Sequence, residues 1–140
     1  MSNAVREGVL ALLAPAGLAG VWDGEVKVDE AEKVILADLP YAVVYVGAGD
    51  PNPNERLCAG PRPAVVPFTV GNVGESVEQV LWVVEQTRAR LDGVTLATVG
   101  PKAGPLTLLD ADVAPRADDT YTRPGGGRIF YLGDRYEISL

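Results

Sequence analysis

Tyr41-Ala42-Val43-Val44-Tyr45-Val46 is an uncharged run rich in β-branched and aromatic residues, with Pro40 before it and Gly47 and Gly49 after it. Such a run reads as a central strand, and its Pro and Gly flanks mark its ends. A second strand is expected over residues 64–70, where Val66, Phe68 and Val70 share one face. Pro67 falls on the other parity, and its missing N–H points to an edge position or a bulge. Between the two strands, Pro51, Pro53, Pro61 and Pro63 bracket a long connection through Asn52, Asn54, Arg56 and Cys58. The pair is therefore a hairpin with an unusually long loop, and connections beyond about 12 residues in a compact domain are more often functional or partner-ordered than idle.

Downstream, the spacing predicts a helix over residues 77–91. Ser76 and Gln79 form a capping box, Gly93 supplies a stop, and Arg88 and Arg90 sit where the helix dipole favours cations. Val77, Val80, Leu81, Val84 and Leu91 fall in one stripe and are assigned to the core. Trp82 points away from that stripe. It has two readings: cover for a flanking loop, or an anchor in a contact with another subunit.

Upstream, Ser2 or Asn3 can cap a first helix whose buried face is Val5, Val9, Leu12 and Leu13. Pro15 ends it near Ala14, and the internal Gly8 makes it dependent on packing. Residues 21–28 alternate around Asp23-Gly24 and read as a small hairpin or a bent edge strand. Residues 23–38 carry six acids against Lys27 and Lys33, so the acidity of the chain is concentrated there. Such a segment is either a solvated loop or a surface that repels DNA phosphate or meets a basic partner. Beyond Gly93, short strands are expected over 94–99 and 106–109, followed by an Asp- and Pro-containing stretch over 110–127. Residues 128–140 alternate again, with Tyr136, Ile138 and Leu140 on one face; Gly133-Asp134 reads as a two-residue turn or a bulge. Nothing in the 140 residues splits them, so one domain over 1–140 is expected.

Composition narrows the chemistry. There is no histidine, which removes the Ser-His-Asp and Cys-His nucleophile arrangements, the imidazole base and His-containing zinc sites. One cysteine, Cys58, cannot close an internal disulfide, which suits a reducing compartment and assembly in a cytoplasm. A net charge of −7 argues against a surface that binds nucleic acid, which needs a Lys/Arg excess. No apolar run approaches the roughly 20 residues of a membrane span, and the N-terminal residues lack a leader-like pattern. Neither export nor anchoring is expected.

The remaining motifs are weak. Gly47-Ala48-Gly49 follows a strand but runs into Asp50-Pro51-Asn52-Pro53 with no helix to present amides to phosphate. Gly125-Gly126-Gly127 reads as a flexible turn. Asp110, Asp112, Asp118 and Asp119 lack the spacing of an EF-hand loop. Cys58 near Arg56 and Arg62 has no visible partner base and reads as a small apolar filler. Carboxylate pairs are the one plausible catalytic apparatus, as in glycoside hydrolysis, yet none is singled out. No catalytic residue, cofactor or metal site is therefore assigned.

Several segments together, Val21-Trp22-Asp23-Gly24-Glu25-Val26, Leu39-Pro40-Tyr41-Ala42-Val43-Val44-Tyr45, Arg56-Leu57-Cys58-Ala59-Gly60, Phe68-Thr69-Val70 and Glu78-Gln79-Val80-Leu81-Trp82 leading to Arg88, resemble in order and spacing the tail terminator proteins of long-tailed, siphovirus-type bacteriophages, particularly those infecting actinobacteria. The closing segment over 131–140 is similar as well. The resemblance covers roughly residues 5–93 and the last twelve, whereas 27–38 and 101–127 depart from it.

This resemblance implies an α+β subunit, a small antiparallel or mixed sheet with two helices packed on it. It also implies a homohexameric ring that caps the tail tube, ends its polymerisation and joins it to a connector or stopper protein at the neck. DNA would pass through an acidic lumen without specific binding, and ring closure would need a heterologous interface. The residues set aside for such contacts are Trp82, Asp50, Arg56, Arg62, Asp29, Glu30 and Glu32. Another head–tail connector, or a carboxylate-dependent hydrolase, are the competing expectations.

Overall fold

The computed structural model of the chain describes residues 2–47 and 65–139. In chain order the described elements are α1 (Ser2–Leu13), one 3-10 turn (Ala14–Ala16), β1 (Gly20–Asp23), β2 (Val28–Asp29), β3 (Val34–Ile35), β4 (Tyr41–Val46), β5 (Val65–Gly74), α2 (Val77–Leu91), β6 (Thr107–Ala111), β7 (Arg116–Thr122) and β8 (Arg128–Ser139). The proline-bracketed loop, with Asp50, Arg56, Cys58 and Arg62, lies outside the described residues, as do Ala64 and Leu140.

Eight strands form one mixed, curled sheet in the order β1-β4-β5-β8-β7-β3-β2, and β6 shares an edge of β8 with β7. The fold is α+β, with a larger sheet than the small one expected. β1 runs parallel to β4 and β3 parallel to β7, while the other pairings are antiparallel. The β-branched run at 41–46 is interior as expected, held by β1 on one side and β5 on the other.

Residue parity divides the sheet into two cores, because successive side chains of a strand point to opposite faces. Even-numbered residues Ala42, Val44, Val66, Phe68, Val70, Tyr136 and Ile138 meet Val5, Val9 and Leu13 of α1 and Leu91 of α2. Val80 and Val84 of α2 pack on Leu132 in the same layer. Odd-numbered Tyr41, Val73 and Ile129 face the other way, toward Ile35 and Ala37 beside the β2–β3 hairpin. Phe68 and Tyr136 stack with centroids 5.0 Å apart and ring planes 4° from parallel.

Several expectations change. Pro67 lies in an interior strand, neither at an edge nor in a bulge. It is tolerated because β4 pairing ends at Val46↔Phe68, and the Pro67 carbonyl still accepts the Gly47 N–H at 2.8 Å. Gly133-Asp134 is neither a turn nor a bulge against β5, where the register runs unshifted from Val65↔Ser139 to Gly74↔Phe130. On the opposite edge of β8, β7 pairing stops at Tyr131 and β6 pairing begins at Asp134. Asp112 fills the gap: its backbone N–H donates to the Gly133 carbonyl at 3.0 Å and its Oδ2 accepts the Gly133 N–H at 2.8 Å.

Residues 94–99 do not form a strand but a turn with one isolated bridge, Thr95↔Pro105, because buried Leu96 pins the segment against α1. A Cβ on Gly8 would meet the Leu96 methyls at 3.1 Å, which explains a glycine inside that helix. The 110–127 stretch contains β7, and Gly125-Gly126-Gly127 is the connection from β7 to β8. Asp23-Gly24 ends edge strand β1 instead of turning a hairpin; Gly24 has φ +80° and donates its N–H to Val44.

Candidate functional site

Ser76 Oγ accepts the Gln79 N–H at 3.1 Å, and Gln79 Oε1 reaches back to the Glu75 N–H at 2.7 Å, so α2 is capped reciprocally one residue wider than the ordinary box. That cap fixes where α2 begins. The core stripe is Val80, Val83, Val84, Thr87 and Leu91; Val77 and Leu81, expected in the core, are exposed. The stripe rotates because Thr87 is not turned to solvent: its hydroxyl donates to Asn72 Oδ1 at 2.7 Å beneath the helix. Trp82 is 41% exposed on the outer side, so α2 presents Val77, Leu81 and Trp82 as apolar surface.

Under the helix lies a polar cluster that the periodicity reading missed. Asn72, Thr87 and Asp134 are fully buried. Asn72 Nδ2 donates to the Leu132 carbonyl at 3.0 Å and Asp134 Oδ2 at 3.4 Å. Arg88 closes the cluster from the partly exposed side, and the Asp134 carboxylate holds its pKa even higher than usual. The available signal was parity: Asn72 falls in phase with Val70 and Phe68, and Asp134 with Tyr136 and Ile138.

The acidic candidates are largely occupied within the chain itself. Asp29 Oδ1 accepts the N–H groups of Ala31 and Glu32 at 3.0 and 3.2 Å, shaping the turn between β2 and β3. Glu30 pairs with Lys33 at 3.0 Å and accepts the Tyr121 hydroxyl at 2.9 Å, tying the hairpin to β7. Those two contacts, Lys33 first, lower the Glu30 carboxyl below its ordinary range. Glu32 is exposed, and Asp23 is paired with Arg6. The hairpin packs on the odd face of the sheet and α2 on the even face, so Trp82 and the three acids are not brought together. Asp50, Arg56 and Arg62 lie outside the described residues.

On the odd face, the curl of the sheet encloses an open cleft of about 860 Å³ with Val43, Gly71 and Val73 in its lining, together with Tyr41, Tyr45, Tyr121 and Tyr131. Glu25, Glu30, Asp118 and Asp119 also line it. Asp118 is spent on the β7 bulge, where its Oδ1 accepts the Thr120 and Tyr121 N–H groups. Asp110 and Asp112, on the far edge, pair with Arg135. Among the described residues no group of three or more metal-ligating side chains gathers.

No protein-family profile matches the sequence, and no curated protein matches it. Solved structures do share its fold. A chain of the structure described as "Virion of native gene transfer agent (GTA) particle" aligns over 100% of this chain and 95% of its own length, with a TM-score of 0.50 and 16% identity. At that identity the likeness is one of fold. The alignment spans the whole length of this chain. Among the described residues, no helix is long and apolar enough to cross a membrane.

Proposed function

We propose that this chain is a structural virion protein, a tail terminator whose six copies close into a ring that caps the tail tube. The ring ends tube polymerisation and joins the tail to the connector or stopper protein of the head. The observation that carries this reading is the end-to-end fold likeness to a chain of a gene transfer agent virion, which agrees with the motif order along the sequence. Its partners are further copies of itself, the major tail tube protein and the neck protein, with DNA passing through the lumen. It works at the tail–neck junction of the particle after assembly in the host cytoplasm.

Two local features support a role carried by surfaces. α2 exposes Trp82, Leu81 and Val77, and a buried aromatic anchor is the usual centre of a protein contact. Two of the four cleft acids are poorly suited to act as a general acid: the Glu30 carboxyl is lowered, and Asp118 is engaged by backbone amides. A chain with 19 acids against 12 basic residues also lets phosphate slide past without holding it.

Deletion of the gene tests the assignment. A terminator deletion yields tails of abnormal length that do not join heads, and mass measurement of the complex on the particle gives six copies. Tails of normal length would assign the chain to another connector position, and a different copy number would reject the hexamer.

A further inference from the structure

The cleft on the odd face is lined by four carboxylates and by no lysine or arginine. Glu30 shares its charge with Lys33, but among the described residues Glu25 and Asp119 meet no cation. The floor is apolar at Val43 and Gly71, which pack so closely that a Cβ on Gly71 would sit 2.9 Å from a Val43 methyl. Two of its tyrosines already serve as platforms for cations of the chain itself: Lys33 Nζ lies 5.6 Å from the Tyr121 ring centre and the Arg116 guanidinium 5.8 Å from that of Tyr131. Tyr45 is 50% exposed, and among the described residues no cation lies over it.

We propose that this cleft docks a short arginine-bearing segment of a partner protein, with a guanidinium on the Tyr45 ring, neighbouring apolar side chains over Val43 and Gly71, and the Glu25 and Asp119 carboxylates at the rim. Arginine suits the site better than lysine, because its planar guanidinium stacks on an aromatic face and is more weakly hydrated. The acidic rim disfavours a phosphate-bearing occupant such as nucleic acid. This inference does not depend on the ring or on the position of the chain in a particle.

Titration of the full chain with a fluorescein-labelled decapeptide of alternating Arg and Val, read by anisotropy, tests it. Saturable binding is expected, with affinity reduced about threefold or more for the Lys-Val peptide and no binding of the Glu-Val peptide. The Glu25→Lys/Asp119→Lys double variant is expected to weaken binding at least tenfold, and Tyr45→Ala about fivefold. Glu78→Lys/Glu85→Lys on the outer side of α2, with the same change in net charge, is expected to change it less than twofold. All three variants alter exposed side chains, and circular dichroism melts check that they remain folded. Equal losses in the two charge-reversed variants, or an absence of saturable binding, would overturn the proposal. So would sedimentation in which Tyr45→Ala dissolves a self-association of the free chain, since the cleft would then hold a second copy.

Discussion

Arg88 grips Asp134 with two hydrogen bonds, Nε to Oδ2 at 3.1 Å and Nη2 to Oδ1 at 2.6 Å, joining residues 46 positions apart on α2 and β8. Asp134 is fully buried, while a third of the Arg88 side chain reaches solvent. Removing the arginine leaves a carboxylate in the core without its cation. Arg88→Ala is expected to cost about 3 kcal/mol in urea unfolding, whereas Arg88→Met/Asp134→Leu recovers a large part of that loss. A single-variant cost below about 1 kcal/mol would mean that the pair is not what anchors the helix.

Trp82→Ala removes a side chain that stands outside the core stripe of α2 and is 41% exposed. The loss of stability in the isolated chain is expected to stay below that of a core aromatic truncation, about 3 kcal/mol. Assembly into the proposed ring is expected to fail or weaken by tenfold or more. Thermal melts paired with sedimentation separate the two effects, and a large loss of subunit stability would refute the assignment of Trp82 to a contact.

Burial pushes the Tyr41 hydroxyl up to about 12, and the Tyr136 hydroxyl is also raised by its desolvation. An unfolded tyrosine ionises near 10. The native state thus holds these protons more tightly than the unfolded chain, and the stability they contribute is full below about pH 10 and lost as pH rises toward 12. Ultraviolet absorbance of tyrosinate should follow this: Tyr41 and Tyr136 ionise only as the chain unfolds. Ionisation of these two near about pH 10 in a folded chain would contradict it.

Tyr136 stacks on Phe68, yet its buried hydroxyl has no hydrogen-bond partner among the described residues. Replacing it should relieve an uncompensated polar group at little cost in packing. Tyr136→Phe is expected to be neutral or to stabilise by up to about 1 kcal/mol, against the usual direction of a core substitution. A loss beyond about 1 kcal/mol in denaturant titration would point to a bound water that the hydroxyl holds.

Gly47 sits where β4 runs out beside Pro67. A Cβ there would lie 2.8 Å from the proline ring and 3.2 Å from its carbonyl oxygen. Gly47→Ala is expected to destabilise by about 1–3 kcal/mol through that overlap, and Gly47→Ala/Pro67→Ala should regain part of it. Urea midpoints of the three chains measure the coupling.

Much of the fold was legible because it rests on local patterns. The run at 41–46, the cap at Ser76 and the break at Pro15 each act within a few residues, and all three predicted the elements that form. The errors share a cause. Val77 and Leu81 read as core because hydropathy alone placed the stripe, whereas Thr87 bonds Asn72 and turns the helix toward a polar partner fifteen residues away. Likewise Gly133-Asp134 resembles a turn in isolation, but β5 pairs through it without a shift and Arg88 covers the carboxylate. As for the candidate surfaces, exposure of Trp82 followed from helical geometry, but the internal engagement of Asp29 and Glu30 did not follow from charge counting.

Composition and spacing thus specified the capped helix, the central strand, the absence of imidazole chemistry and the acidic balance, because each depends on residue type or near neighbours. The curl of the sheet, the tyrosine cleft on its odd face and the buried Arg88–Asp134 pair arose only on folding. Each depends on strands distant in the chain being brought into one register, and pairing between remote segments is set by packing of the whole chain, which no local window contains.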